Sequence, residues 1–183
     1  MTTSKVHTGT LDTGWRAVAR VTTGAERQLA VEHWLLSTSP DAQQVRAQWR
    51  ESPIALLSCG AVFAAVRIPA LVVRAAAHST DRDVIDGYLA EAALDGPVIC
   101  DRYAGWYYAL VPVGTARRWD VPDTVCLGLG STLGVPRPGL SGADDVRVYW
   151  SVPMDSAGAL CSAHAVSQLV MTGRYRAGAR RDD

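Results

Sequence analysis

The pattern of apolar and polar positions divides the chain into helices and short strands. A first helix is predicted from about Ala25 to Leu36, behind a capping box formed by Thr23 and Glu26. A second helix is predicted behind Ser39-Pro40-Asp41, where Ser39 is the N-cap and Pro40 takes the first helical position. The spacing of the apolar residues places one face of each helix against a core.

Three further helices are predicted in the middle and at the end of the chain. A short one starts at Pro69 and runs through Ala77. A stronger one follows Asp81, because apolar residues from Val84 to Leu89 recur at helical spacing. The last is predicted over about Ser162–Thr172, with Gly173 as the C′ residue that ends it.

Short apolar runs between the helices predict strands. Ile54–Leu57 and Ala61–Val66 do not alternate, which is typical of strands covered on both faces. Val98–Asp101 and Trp106–Val111 flank four turn residues and predict a hairpin. Apolar and polar residues alternate over Val146–Val152, which predicts a half-buried strand. Two more strands are predicted at Val125–Leu127 and Leu133–Val135.

The order of these elements indicates the fold class. Helices, two strands, helices, a run of five strands and a final helix favour an α+β fold over strict alternation of strands and helices. We expect a small mixed or antiparallel sheet flanked by helices. One domain is predicted over residues 15–173, with a flexible N-terminal arm over 1–14 and a charged C-terminal tail over 174–183.

Charge and hydropathy narrow the range of partners. Lysine and arginine together number 18, as do aspartate and glutamate, so the formal net charge is zero. A chain without net positive charge does not bind nucleic acid through its overall charge, although it can still carry a local basic patch. Residues 1–14 lack the apolar core of a signal peptide, and no apolar run approaches the length of a bilayer span. We predict a cytoplasmic protein without a membrane partner.

Sequence motifs predict neither a cofactor nor a metal centre. The cysteines at positions 59, 100, 126 and 161 form no C-x-x-C pair, and their gaps match no zinc spacing. The glycine-rich segment Gly128–Gly134 approaches the dinucleotide fingerprint but runs into Val135–Pro138. That continuation cannot open the helix whose N-terminus would meet a pyrophosphate. The four histidines are scattered and belong to no metal-binding motif.

The best candidates for nucleic-acid contact are arginines in loops. Arg117-Arg118-Trp119 combines two guanidinium groups with an indole, and Arg102 and Arg137 lie in neighbouring loops. Guanidinium groups meet phosphates while Trp119 or Trp106 stacks on a base, which makes DNA or a nucleotide the candidate partner. The alternative interpretation is an ordinary solvated loop that a tryptophan anchors.

Carboxylates are absent where phosphoryl transfer needs them. Two-metal catalysis requires acids on adjacent core strands that hold the ions about 4 Å apart. The runs Ile54–Leu57 and Ala61–Val66 contain none. Asp101 ends a strand and Asp144-Asp145 lies in a loop, where turn chemistry explains them. A metal site built from Asp101 with Asp144 or Asp145 is the alternative.

Several stretches resemble the actinobacterial branch of the bifunctional DNA primase/polymerase N-terminal (prim-pol) family. The segments Thr38–Pro53 and Ser58–Pro69 are similar to the family's amphipathic helix and to the strand that carries its first metal-binding acid. The later segments D-G-P-V-I-C-D, Y-Y-A-L-V-P-V-G-T-A, L-G-V-P-R-P and Y-W-S-V-P resemble the branch's later strands. The likeness covers roughly residues 28–155 and implies a mixed sheet flanked by helices.

Departures from the family pattern bear on activity. Ala64 stands where related sequences carry the first acid, and Leu133 stands where active members place a nucleotide-binding histidine. Alanine and leucine hold neither a metal ion nor a triphosphate. The resemblance therefore implies a non-catalytic prim-pol-like domain with a nucleic-acid, nucleotide or replication-protein partner. The alternative is a protein-interaction or regulatory module that kept the fold without nucleotide binding.

Overall fold

The structure is a computed structural model that describes residues 23–92, 94–142 and 146–179. The predicted arm over 1–14 lies outside these residues. The elements in chain order are α1 Gly24–Leu36, α2 Ala42–Glu51, β1 Ile54–Ser58, β2 Ala64–Pro69, α3 Ala70–Ala77, α4 Arg82–Glu91, β3 Val98–Asp101, β4 Trp106–Val111, a 3-10 helix Val113–Arg117, β5 Val125–Leu127, β6 Thr132–Pro136, β7 Val148–Val152 and α5 Ala163–Ala179.

The strands form two antiparallel sheets. Five of them pair in the order β5-β2-β4-β3-β7, and β1 pairs with β6 in a separate two-stranded sheet. The sequence-based expectation of an α+β domain with helices around an antiparallel sheet is confirmed. No described helix has the length and apolar character that crossing a bilayer requires.

The five-stranded sheet separates two cores. The first core packs the sheet against α3, α4 and α5, and the second packs it against α1, α2 and the β1–β6 sheet. Strand β2 supplies both, because Val66 and Ile68 face the first core and Ala65 faces the second. The prediction that this strand is covered on both faces is confirmed, although the strand starts at Ala64 and not at Ala61. The same prediction for Ile54–Leu57 was wrong, because burial alternates along β1 and Leu56 is 63% exposed.

Strand β7 is not half-buried, so that prediction was wrong. The side chains from Val148 to Ser151 are all buried, although β7 is an edge strand. Tyr149 belongs to the first core and Trp150 to the second, while Ser151 donates a hydrogen bond to Asp86 of α4. The alternation of apolar and polar residues in the sequence predicts one exposed face, but in the structure both faces of this edge strand are covered.

The N-terminus of α2 also differs from the prediction. Asp41 is the N-cap, since its carboxylate accepts a hydrogen bond from the backbone N–H of Gln44 at 2.9 Å. Ser39 and Pro40 therefore precede the helix. The sequence presents two acceptable N-caps two residues apart, and the one that starts the helix is Asp41. The capping box of Thr23 and Glu26 on α1 is confirmed.

The last helix continues past its predicted end. Gly173 is buried inside α5, which runs to Ala179, so the first six residues of the predicted tail over 174–183 are helical. A Cβ atom at Gly173 would lie 2.2 Å from the backbone oxygen of Val72 in α3. The glycine therefore allows two helices to pack closely. A glycine after a helical pattern can end the helix or allow close packing within it, and only the packing distinguishes the two roles.

Candidate functional site

The arginines predicted from the sequence do not form one surface. Arg102 lies in the β3–β4 turn, whereas Arg117 and Arg118 lie beyond the other end of β4. The five residue steps of that strand separate its ends by about 17 Å. Arg137 follows β6, beside a cavity that α1 and α2 also line. These four residues therefore belong to three separate parts of the molecule.

Trp119 has a structural role in its loop. The indole is half-buried against the first core, and its N–H donates a hydrogen bond to the Thr124 hydroxyl at 2.9 Å. That hydroxyl in turn donates to the backbone oxygen of Val121 at 2.7 Å. Arg117 and Arg118 are exposed beside it. The geometry favours a solvated loop with an anchoring tryptophan over an indole that stacks on a base.

The Asp101 carboxylate is hydrogen-bonded within the turn that follows it. One carboxylate oxygen accepts hydrogen bonds from the backbone N–H of Ala104 at 3.0 Å and from Arg147 Nε at 3.4 Å. Asp144 and Asp145, the other members of the alternative metal site, lie outside the described residues. Within the described ranges, no three His, Cys, Asp or Glu side chains gather in a way that could hold a metal ion.

The two positions that the resemblance equates with catalytic residues lie far from solvent and on different sides of the sheet. Ala64 is buried in the first core, opposite Val111. Leu133 is buried in the second core, opposite Leu57 of β1. Replacing both with a carboxylate and an imidazole would not bring these groups together. This pair of positions does not define a catalytic site.

A different cluster of aromatic and arginine residues lies where the β3–β4 hairpin turns. We call it the hairpin-end face and define it by Arg67, Tyr103, Trp106, Tyr108 and Arg147. Alternation along the strands explains part of it, because Trp106 and Tyr108 of β4 project from the same side of the sheet as Arg67 of β2. The β3–β4 turn adds Tyr103, and the approach to β7 adds Arg147.

Trp106 is the centre of the hairpin-end face. Of the five tryptophans in the described ranges, it is the one that belongs to neither core. The guanidinium carbon of Arg67 lies 4.6 Å from the centroid of its ring, within cation–π range. Arg67 Nε is buried and finds no hydrogen-bond partner among the described residues. Neither side chain is explained by ordinary core packing.

Tyr103 and Arg147 form the exposed edge of this face. The Tyr103 side chain is 82% exposed in the turn. The Arg147 guanidinium carbon lies 5.8 Å from the Tyr103 ring centroid while its Nε binds Asp101. An exposed ring and a guanidinium group thus lie side by side, which is an arrangement that suits stacking on a planar ligand.

Tyr108 completes the face beside Arg67. It pairs with Arg67 on β2 and with Ile99 on β3, and it is half-buried. Burial raises the pKa of its hydroxyl, the Asp101 carboxylate raises it further, and Arg67 and Arg147 oppose the rise. The hydroxyl therefore stays protonated at neutral pH and remains a hydrogen-bond donor.

Sequence reasoning found part of this face and missed the rest. Trp106 was a candidate for stacking, and Arg102 lies in the adjoining turn. Arg67 was missed because it follows an apolar run, and Arg147 because it alternates with apolar residues in a predicted strand. The signal that could have identified them is the pairing register of β2 with β4, which a single sequence does not provide.

The fold and the hairpin-end face together define an α+β domain with an aromatic and arginine-rich surface at one end of an antiparallel sheet. No family model matches this chain, and the comparisons with curated proteins and with solved structures give no match either. The relation to the prim-pol family therefore stays a prediction.

Proposed function

We propose that this protein is a non-catalytic, prim-pol-like domain that binds single-stranded nucleic acid through the hairpin-end face. The observation that carries the proposal is the pairing of Trp106 with Arg67 outside both cores, next to the exposed Tyr103 and Arg147. Aromatic rings on a sheet serve as stacking platforms for unpaired bases, and guanidinium groups contact the phosphates between them.

The charges of this face support weak, local electrostatic attraction. Arg67 and Arg147 provide two positive charges, and Asp101 offsets one through its ion pair with Arg147 at 3.4 Å. Since the formal net charge of the chain is zero, long-range attraction contributes little. Stacking must then supply most of the affinity, at about 1–3 kcal/mol for each base on an aromatic ring.

The proposal is tested by titrating a fluorescein-labelled oligodeoxythymidine with the full chain and following anisotropy. We expect Trp106→Ala to weaken binding by about 5- to 150-fold, which corresponds to the loss of one stacked base. Tyr103→Ala removes an exposed ring of the same face, and the protein should still fold because that ring has no packing role. The midpoint of thermal unfolding of each variant serves as the control for folding.

A double variant distinguishes this surface from the one that the sequence suggested. Arg117→Ala with Arg118→Ala should leave oligonucleotide binding within about twofold of wild type, because these residues lie at the other end of β4. If the double variant abolishes binding while Trp106→Ala and Tyr103→Ala retain it, the contact surface is the Arg117–Arg118 loop. Absence of binding in wild type would favour a protein-interaction or regulatory module.

A further inference from the structure

A second site lies on the opposite side of the sheet from Arg67, Trp106 and Tyr108, and it shares Tyr103 of the β3–β4 turn with the hairpin-end face. A cleft of about 360 Å³ opens between α3, α4 and the β3–β4 turn. Each of these elements contributes one arginine to its lining: Arg74, Arg82 and Arg102. We call it the arginine cleft and define it by these three residues. We propose that it binds small molecules that carry a phosphate monoester.

The floor of the arginine cleft consists of neutral hydrogen-bonding groups. Tyr107, Tyr149 and the Cys100 thiol line it, and all three side chains are buried. Burial raises the pKa of each of them, so the hydroxyls and the thiol remain protonated at neutral pH. The cleft therefore presents arginine N–H groups above a floor without anionic phenolate or thiolate, which favours an acceptor-rich anion.

The carboxylates near the cleft are already engaged. Asp101 binds Arg147 and the turn backbone. Asp86, behind the floor, accepts hydrogen bonds from the Tyr149 hydroxyl at 3.3 Å and from Ser151. Both hydrogen bonds reach the same Asp86 oxygen and hold the Tyr149 ring in place. The hydrogen bond to Asp83 is the main cause that raises the pKa of Arg82, and the Asp86 carboxylate adds a smaller contribution.

The guanidinium groups differ in how far they are neutralised. Arg82 forms an exposed ion pair with Asp83 at 3.1 Å. No hydrogen bond or ion pair to a described residue occupies the Arg74 guanidinium, which lies close enough to Tyr107 to affect its hydroxyl electrostatically. Arg74 is therefore the group most available to a ligand, and it is the residue on which the test depends.

The geometry favours a phosphate monoester over a carboxylate. A carboxylate is satisfied by one bidentate guanidinium fork, whereas a phosphate monoester presents three terminal oxygens in three directions. Three arginines from three separate elements match the second arrangement. The volume lies near the lower end of the range for small-molecule sites, so the remainder of the ligand is small. The exposed Tyr103 ring at the cleft rim provides a surface for that remainder.

Amide chemical shifts of the ¹⁵N-labelled full chain test this proposal during titration with ribose 5-phosphate, with ribose as the matched probe. We expect ribose 5-phosphate to shift the amides of Thr80, Arg82 and Tyr103, with a Kd of about 1 mM or tighter, and ribose to shift none of them. Arg74→Ala should weaken binding by about 10- to 150-fold, as expected for a lost hydrogen bond to a charged group. Arg50→Ala, on α2 in the other layer, should bind as wild type does.

Two results would overturn the assignment. One is an equal response to ribose and ribose 5-phosphate, and the other is an unchanged affinity in Arg74→Ala. Arg74→Ala should also keep wild-type affinity for the oligodeoxythymidine, because Arg74 lies on the other side of the sheet from Trp106 and only Tyr103 belongs to both sites. Failure of nucleic-acid binding at the hairpin-end face would therefore leave the ribose 5-phosphate result intact, and the two proposals are tested independently.

Discussion

Gly173 and Gly87 show how the surroundings of a residue decide its contribution to stability. Both lie inside helices, but Gly173 faces the Val72 backbone at a distance that excludes a Cβ atom, while Gly87 of α4 has nothing within 4 Å of that position. Helix propensity favours alanine at both sites. At Gly173 the close packing against α3 outweighs the propensity for alanine, whereas at Gly87 no packing opposes it.

We expect Gly173→Ala to lower the free energy of unfolding by about 1–3 kcal/mol, because α5 must move away from α3 to accommodate the methyl group. Gly87→Ala should raise it by about 0.5–1 kcal/mol, since that position is exposed and open. Urea denaturation followed by circular dichroism measures both. Equal effects of the two substitutions would contradict the close packing of α3 against α5.

Asp86 couples stability to pH. Burial raises the pKa of its carboxyl, and the hydrogen bonds from Ser151 and Tyr149 oppose the rise without cancelling it. A raised folded-state pKa means that the carboxyl stabilises the fold fully below its unfolded value of about 3.9, and that this contribution is lost as pH rises through the folded value.

Asp86→Asn replaces the carboxyl with a neutral group that still accepts both hydrogen bonds. We therefore expect the stability of wild type relative to Asp86→Asn to fall between pH 4 and pH 7, with the variant at least as stable at pH 7. Urea denaturation at both pH values gives the difference. A wild-type advantage that grows with pH would mean that the ionised carboxylate is favoured in the folded protein.

At the scale of elements, helix α4 starts at the Asp81 N-cap and contributes to the arginine cleft. The Asp81 carboxylate accepts hydrogen bonds from the backbone N–H groups of Asp83 and Val84 at 2.9 and 3.1 Å. The helix that it starts carries Arg82 into the arginine cleft and Asp86 beneath it. Loss of the Asp81 cap should therefore make the positions of Arg82 and Asp86 less well fixed.

Asp81→Ala should lower the free energy of unfolding by about 1 kcal/mol, whereas Asp81→Asn, which keeps an N-cap oxygen, should cost much less. Thermal denaturation compares the two variants with wild type. If alanine and asparagine cost the same, the charge of Asp81 rather than its hydrogen bonds is what stabilises α4.

Elements with a local signal could be predicted from the sequence, and those that depend on distant partners could not. Helical spacing and caps identify α1 and α4, and the turn at Arg102–Gly105 identifies the hairpin. The burial of β7 depends on α4 and on the second core, and the meaning of Gly173 depends on α3. For the same reason, the sequence could not place Arg67 beside Trp106, or Arg74 and Arg102 in one cleft.

At the scale of the whole molecule, both faces of the five-stranded sheet are covered, and its three inner strands β2, β4 and β3 carry one carboxylate, Asp101, which the β3–β4 turn engages. Polymerase chemistry of the two-metal kind needs acids on such strands. Purified protein incubated with a template, Mn²⁺ and labelled nucleoside triphosphates should therefore give no template-dependent product. Any such product would show that the catalytic acids lie elsewhere in the chain.

The salt dependence of oligodeoxythymidine binding tests the central claim most directly. Arg67 and Arg147 neutralise at most two phosphates, and Asp101 offsets one of their charges. The logarithm of the association constant should therefore fall with the logarithm of salt concentration at a slope between about −0.7 and about −1.4. Most of the affinity should survive at high salt because stacking carries it. Absence of binding at low salt, or a slope several times steeper, would contradict a contact surface built on Trp106, Tyr103 and their two arginines.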